Sequence, residues 1–253
     1  MANWNDPQPP RTGFGASPGN PNVTLNGAVV GRAGTYDQGL RSHMLSIYNY
    51  MASGVLLSGI VALLFNRSGL AEQVLTTPLR YLIMLAPLGF VIAMSYGANR
   101  MQTGTLKLLF WAFCTVMGLS MSAIFLVYTG SSIATTFFTT AAAFAGLSLV
   151  GYTTKRDLSA MGTFFTMGLI GIIVAMVTNM FLRSSGLSLA INLIGVLIFA
   201  GLTAYDTQRL KTMYAQVAGT DFAGKAVVLG ALSLYLDFIN MFQFLLSFMG
   251  SRR

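Results

Sequence analysis

Seven long apolar stretches run along this chain, and the short segments between them hold most of the charges. Each has about 20 residues, enough for a helix to cross a hydrocarbon layer about 30 Å thick. None shows the strict alternation of apolar and polar residues that is typical of membrane barrel strands. The pattern therefore predicts seven membrane-spanning helices, at residues 44–65, 81–97, 106–128, 132–151, 160–182, 187–205 and 226–249.

Composition supports a membrane protein. Only 9% of the 253 residues are charged and 54% are hydrophobic, whereas soluble domains carry about 25% charged residues. Residues 1–40 differ from the rest, because they contain five of the seven prolines and few large apolar side chains. We predict a disordered Pro/Gly-rich tail at 1–40 and an all-α, polytopic helix bundle at 41–253.

The basic residues lie singly or in pairs at the ends of the apolar stretches. We interpret them, and the net charge of +8 to which they contribute, as signals that orient the helices in the membrane. We therefore expect no nucleic acid partner. Ten of the fifteen Lys and Arg fall on the side of the N-terminus, which predicts a cytoplasmic N-terminus. Seven full crossings would place the C-terminus outside, unless the last helix enters the membrane and returns. A bacterial inner membrane fits this pattern, with an organellar membrane as the alternative.

Sequence motifs for enzymes are missing. The chain has no P-loop, GxSxG or HExxH, and its single cysteine and single histidine, Cys114 and His43, leave no disulfide or paired metal ligands. Cys114 is interpreted as a buried thiol, and His43 as a residue at headgroup level before the first span. We therefore expect no enzyme activity and no cofactor.

Two aspartates stand on the sixth and seventh predicted helices: Asp237 lies inside the seventh apolar stretch, and Asp206 directly follows the sixth, on a helix that can continue to Lys211. Ionisable residues within a membrane helix are costly and usually functional. Ser233 and Asn240 share a helix face with Asp237, at spacings of four and three, and Thr203 lies beside Asp206. The short connection between these helices favours adjacent antiparallel packing, so the two carboxyl groups are predicted to meet.

Such a pair could share one proton and titrate as a unit, which would make it a pH sensor. At higher pH the two carboxylates would repel each other and present oxygens to a cation. Oxygen ligands suit Ca²⁺, but two carboxylates fall short of its usual six to eight ligands, so transient passage is favoured over storage.

Two other interpretations stay open from the residues alone. Each aspartate could pair locally, Asp206 with Arg209 and Asp237 with Asn240 or Ser233, and simply hold the bundle together. Arg100, at the end of the second span on the same side as Asp206, could form a latch to that carboxylate or act as an ordinary cytoplasmic anchor.

Four segments resemble the Bax inhibitor-1 family, also called the transmembrane Bax inhibitor motif family. They are GLSMSAIFLVYTG, GYTTKRDLSAMG, AYDTQRL and ALSLYLDFINMFQFLL. The resemblance implies a seven-helix bundle with the last helix near the centre. It also implies a pH-dependent calcium leak controlled by a di-aspartyl pair, which corresponds here to Asp206 and Asp237, and an arginine latch for which Arg100 is the nearest candidate.

Bacterial members of that family are also linked to a membrane-bound ATP-dependent protease. The competing hypothesis is therefore a non-conducting regulator of a protease or stress pathway. In that case the tail and the loop within GYTTKRDLS would be its contact surfaces, and the aspartates would be structural.

Overall fold

The structure, a computed structural model, describes residues 25–253, with side chains described from residue 38 onward. The described residues form helices and no strand. The helices are α1 Leu25–Arg67, α2 Leu70–Leu75, α3 Leu79–Gly97, α4 Thr103–Met121, α5 Ile124–Val127, α6 Gly130–Thr153, α7 Ser159–Leu182, α8 Ser185–Val217 and α9 Ala223–Met249.

Seven of these helical segments are long and apolar enough to cross a membrane, which confirms the predicted all-α membrane bundle. Two bounds differ from the prediction. The first helix begins at Leu25, within the segment predicted as a tail, and residues 1–24 lie outside the described part. Helix α8 continues beyond residue 205 to Val217, because its polar end packs on the loop between α6 and α7. The chain divides into residues 1–41 and 42–253, and the second unit carries the site.

Helix α9 is the central helix of this unit. In its most apolar 18-residue stretch 61% of the residues are buried, compared with 11% to 33% in the other six spans. It packs against α4, α6 and α8, as expected for a last helix near the centre. It runs without a break for 27 residues, about 40 Å at 1.5 Å per residue, which is long enough for a full crossing.

Contacts at the helix ends show which ends share a side. After α9, Arg253 N–H donates to the Val127 carbonyl at 3.0 Å, at the junction of α5 and α6. At the other end of α6, the loop 154–158 lies beside the C-terminal part of α8, where Gln208 Nε2 donates to the Arg156 carbonyl at 2.7 Å. Helices α6 and α8 therefore run in the same direction and α9 runs in the opposite one, as full crossings of the last four spans require.

Helices α6 and α8 approach each other by backbone contact close to Asp206. A Cβ atom at Gly151 would overlap the carbonyl oxygen of Ala204, so a larger residue would fit there only if the backbone shifted. Close approach at small residues is typical of helix packing in membranes. Gly151 thus fixes the position of α8 two residues before the first aspartate.

Candidate functional site

Asp206 lies on α8 facing α9, and its side chain is only 8% exposed. Its Oδ2 accepts a hydrogen bond from the Ser233 hydroxyl on α9. Ser233 stands four residues before Asp237, which is about one helical turn and 6 Å along the axis. The two predicted polar faces therefore do meet, and Ser233 is the residue that joins them.

Asp237 is the more deeply placed of the two acids, with 5% of its surface exposed. Its Oδ2 has no hydrogen-bond partner among the described residues. The carboxyl group of Asp206 is near enough to act on it electrostatically. A buried polar atom without a partner is costly inside a bilayer, so the arrangement is one that a purely structural role would not favour.

No hydrogen bond joins the two carboxyl groups directly in the described part of the chain. Instead, Asp206 is bonded to Ser233, and Asp237 lies about one turn further along α9, so the sharing of one proton between the two acids stays a prediction. Neither of the local partners considered for Asp237 forms a hydrogen bond to it among the described residues. Asn240 Nδ2 donates to the Leu236 carbonyl of its own helix at 2.8 Å.

A cavity of about 240 Å³ reaches Asp206 from the end of the α8–α9 pair. Phe222, at the start of α9, lines it together with Ser233, which is about 16 Å further into the membrane at 1.5 Å per residue. Arg209 also lines the cavity and acts electrostatically on Asp206, without forming a salt bridge to it among the described side chains. The cavity lining does not include Asp237, which lies beyond Ser233.

The site holds few ligands for a metal ion. No group of three or more His, Cys, Asp or Glu that could bind a metal occurs in the described residues. The oxygen donors at hand are the carboxyl groups of Asp206 and Asp237 and the hydroxyl of Ser233. Such a set can guide a hard cation for a short time but not hold it firmly.

Sequence comparison identifies the family. The chain matches the family described as "Inhibitor of apoptosis-promoting Bax1" over residues 40–253, which include both aspartates. The chain belongs to the Bax inhibitor-1 family.

Several bacterial proteins are similar to this Bax inhibitor-1 family member over nearly their whole length. An uncharacterised protein of Rickettsia prowazekii is 47% identical over 221 residues, which cover 87% of this chain and 93% of the relative. The inner membrane protein YbhL of Escherichia coli is 44% identical over 219 residues, which cover 85% and 94%. An uncharacterised protein of Caulobacter vibrioides is 45% identical over 229 residues, which cover 86% and 91%. The present protein is an integral membrane protein of the same kind.

Of the remaining predicted site residues of this Bax inhibitor-1 family protein, Thr203 lies on the same helix as Asp206, and Arg100 lies apart from it in a loop. Thr203 is buried, and its Oγ1 donates to the Phe199 carbonyl of its own helix at 2.7 Å. Arg100 is exposed in the loop 98–102 between α3 and α4. No hydrogen bond or ion pair connects its side chain to Asp206 in the described part of the protein, so the latch stays a prediction for another conformation.

Sequence reasoning missed the residues that hold α8 in place beyond Asp206. Gln208 Oε1 accepts from the Leu158 N–H at 2.8 Å, in addition to the bond from its Nε2 to the neighbouring loop carbonyl. Lys211 Nζ donates to the Tyr152 carbonyl at 2.7 Å. The signal was present in AYDTQRLK, because long polar side chains directly after a membrane span must find partners or water.

A second polar cluster surrounds Ser58 and was also missed. The Ser58 hydroxyl lies 2.6 Å from the Tyr235 hydroxyl and 2.7 Å from the Cys114 carbonyl. Cys114 itself is a buried free thiol, as predicted. His43 is only 7% exposed, a burial that sequence reasoning did not predict. Its ring centroid lies 5.2 Å from that of Tyr214, because α8 extends far enough to reach it.

Proposed function

We propose that this Bax inhibitor-1 family protein is a proton-sensitive cation leak of the membrane, with Ca²⁺ as its ion. One observation carries the proposal: Asp206 stands at the inner end of a cavity, and one turn beyond it lies the Asp237 Oδ2, which has no hydrogen-bond partner among the described residues. Membrane-embedded acids that face a cavity usually mark an ion or proton path. The family resemblance points to the same activity.

The mechanism follows from the charges of the pair. With a proton on one of the two acids, a single negative charge remains, and the bond between Ser233 and Asp206 holds α8 against α9. When the pH rises and that proton leaves, two like charges face each other in a medium of low dielectric constant. Their repulsion separates the helices and exposes carboxylate oxygens to the cation. Arg100 makes no bond to Asp206 in the described structure, so the arginine latch that the resemblance implies would belong to a different closed conformation.

The location belongs to the proposal as well. The relative from Escherichia coli is named an inner membrane protein, and the distribution of basic residues favours a cytoplasmic N-terminus. With that orientation the cavity at Asp206 opens towards the cytoplasm, where Phe222 and the end of α8 lie. A calcium leak of this kind would therefore respond to the cytoplasmic pH.

Calcium flux into liposomes that contain the purified protein tests this function. We expect flux to increase from mildly acidic to mildly alkaline pH. Asp206→Asn and Asp237→Asn should flatten that dependence, because each removes one titrating group. Ser233→Ala should raise the flux at acidic pH, since the bond that holds Asp206 to α9 is lost.

Glu72→Gln is the matched control, because Glu72 is an exposed carboxylate on α2, outside the cavity. It should keep the normal pH profile. If both aspartate variants keep that profile too, the carboxyl pair is not the sensor.

A second candidate function, a non-conducting regulator of a membrane-bound ATP-dependent protease, is favoured by the loop 154–158. This loop is held on α8 by Gln208 and presents Lys155, Arg156 and Asp157 on the surface. A fixed charged loop suits a protein partner. Co-purification from native membranes separates the two functions. A protease retained by the native chain and lost from Lys155→Glu/Arg156→Glu, together with no calcium flux, would support the regulator.

A further inference from the structure

A recess of about 530 Å³ lies between α1 and α6, on the side of α9 away from the carboxyl cavity. Its walls include Met51 and Val55 on α1 and Ala141 and Ala145 on α6. Phe238 of α9 forms its floor and is itself buried. The recess thus penetrates from the outer helices to the central one.

The recess lies near the middle of the membrane. Met51 and Val55 fall in the central part of the span Gln38–Arg67, and Ala141 and Ala145 in the central part of Gly130–Thr153. Among its wall residues Ala52, Leu56 and Ala145 are exposed at the surface. Because both walls are membrane-spanning helices, the mouth faces the hydrocarbon layer.

The chemistry of the recess excludes most occupants. Its walls are almost wholly apolar, and a stable water molecule needs two to four polar partners. Its volume is within the range of about 300 to 1,000 Å³ that is usual for small-molecule sites. A partner helix is about 10 Å or more across and could not follow the recess inward to Phe238. A flexible hydrocarbon chain, which the surrounding bilayer supplies, has the matching shape and polarity.

We propose that the recess between α1 and α6 binds one acyl chain of a membrane lipid, which packs on Phe238. Occupancy does not depend on whether the protein conducts ions. The recess nevertheless adjoins the acid pair, because Phe238 follows Asp237 directly and the Ser148 hydroxyl in the recess wall accepts a bond from Thr207, next to Asp206, at 3.4 Å. The acyl chain would therefore pack against residues that adjoin both acids.

Photolabelling of the purified protein in detergent tests the site. The probe is phosphatidylethanolamine with a diazirine halfway along one acyl chain, and a second arm uses a free fatty acid with the same diazirine. We expect labels on residues 48–56 and 137–148 that unlabelled lipid displaces. Labelling by the first probe alone would identify a phospholipid chain, and labelling by the second alone a free fatty acid.

Filling the recess provides the decisive variant. Ala141→Phe places a ring inside it, whereas Ala142→Phe, the matched control, adds the same ring on the exposed face of the same helix. Ala141→Phe should reduce displaceable labelling by at least about tenfold, equal to about 1.4 kcal/mol of binding free energy. Ala142→Phe should leave it unchanged. Ala52→Phe fills the recess from the opposite wall and serves if Ala141→Phe fails to fold.

Three results would overturn the proposal. The first is labelling that unlabelled lipid does not displace and that covers the exposed face of α7, for example at Met167 and Ile170, as strongly as the recess. The second is equal labelling of the Ala141→Phe and Ala142→Phe proteins. The third is a crosslink from the recess to a second copy of the chain, which would make the recess a subunit interface.

Discussion

Two polar clusters lie on different faces of α9, and they differ in how completely their hydrogen bonds are made. Tyr235 points to α1 and α4, where its hydroxyl meets Ser58 and the Cys114 carbonyl lies close by. Two residues further on, about 200° around the helix, Asp237 is buried with a carboxyl oxygen that has no partner in the described structure. The hydroxyl groups of the first cluster are therefore hydrogen-bonded, whereas a carboxyl oxygen of the second is not, among the described residues.

This difference separates a cluster that stabilises the fold from a cluster that is suited to a functional role. A buried polar network with every bond made rigidifies the fold, whereas a partly satisfied one is costly. Proteins usually accept such a cost at functional sites. The Ser58–Tyr235 cluster thus anchors α9, whereas the face of α9 that carries Asp237 is where the proposed response to a proton or a cation would occur.

The largest expected effect comes from removing the anchor. Tyr235→Ala deletes a fully buried ring and should lower the free energy of unfolding by about 3 to 5 kcal/mol, the usual loss for a large aromatic core residue. Denaturant unfolding in detergent measures this. Tyr96→Ala is the matched control, because Tyr96 is 85% exposed and its loss should cost at most about 0.5 kcal/mol. A similar cost for both would show that the cluster is not an anchor.

The next effect concerns the backbone contact that positions the acid pair. Gly151→Ala puts a methyl group against the Ala204 backbone and should cost about 1 to 3 kcal/mol, as overpacking does. Gly146→Ala, on the same helix, meets open space and should be neutral or slightly stabilising because alanine favours helix. Thermal unfolding of both proteins checks the prediction, and equal melting temperatures would contradict it.

A pair of nearly isosteric changes compares the two clusters directly. Tyr235→Phe removes one bonded hydroxyl and should cost about 1 kcal/mol of unfolding free energy. Asp237→Asn should cost nothing or stabilise the protein at neutral pH, because it replaces an acid whose Oδ2 has no partner among the described residues by a neutral group. Denaturant unfolding of both variants decides the matter. If Asp237→Asn is the more damaging change, the acid is a structural element.

The smallest effect is expected at a carboxylate outside the membrane. The Ser159 hydroxyl, and then its backbone N–H at 2.9 Å, lower the pKa of Asp157. Because the folded pKa lies below the unfolded one, this contribution is present above the unfolded pKa and is lost as the pH falls through the folded pKa. Ser159→Ala should move that loss to higher pH.

Hydrogen exchange of the loop 154–158 as a function of pH follows this transition. Asp157→Asn is the control, because it removes the titrating group and should abolish the acid-dependent step. An unchanged pH profile in Ser159→Ala would mean that the hydroxyl does not act on the carboxylate.

Much of the fold could be predicted because hydrocarbon imposes simple rules. The lengths of the apolar stretches alone predicted seven spans, and the spacing of Ser233 and Asp237 predicted the polar face of α9. The length of α8 was underestimated, because Gln208 bonds the loop 154–158 and Lys211 bonds Tyr152 at the end of α6, and both partners are distant in sequence. For the same reason the burial of His43 could not be predicted, because Tyr214, whose ring lies beside it, is distant in sequence.

By itself, the sequence determined that this protein crosses the membrane and that two acids lie inside the crossing helices, because length, apolarity and charge act locally and need no partner. Only the tertiary structure decided that Ser233, and not the other acid, bonds Asp206, and that Tyr235 closes a separate network with Ser58. Those outcomes depend on how far one helix slides and turns against the next. Backbone contacts such as that of Gly151 with Ala204 set this register between residues that are far apart along the chain.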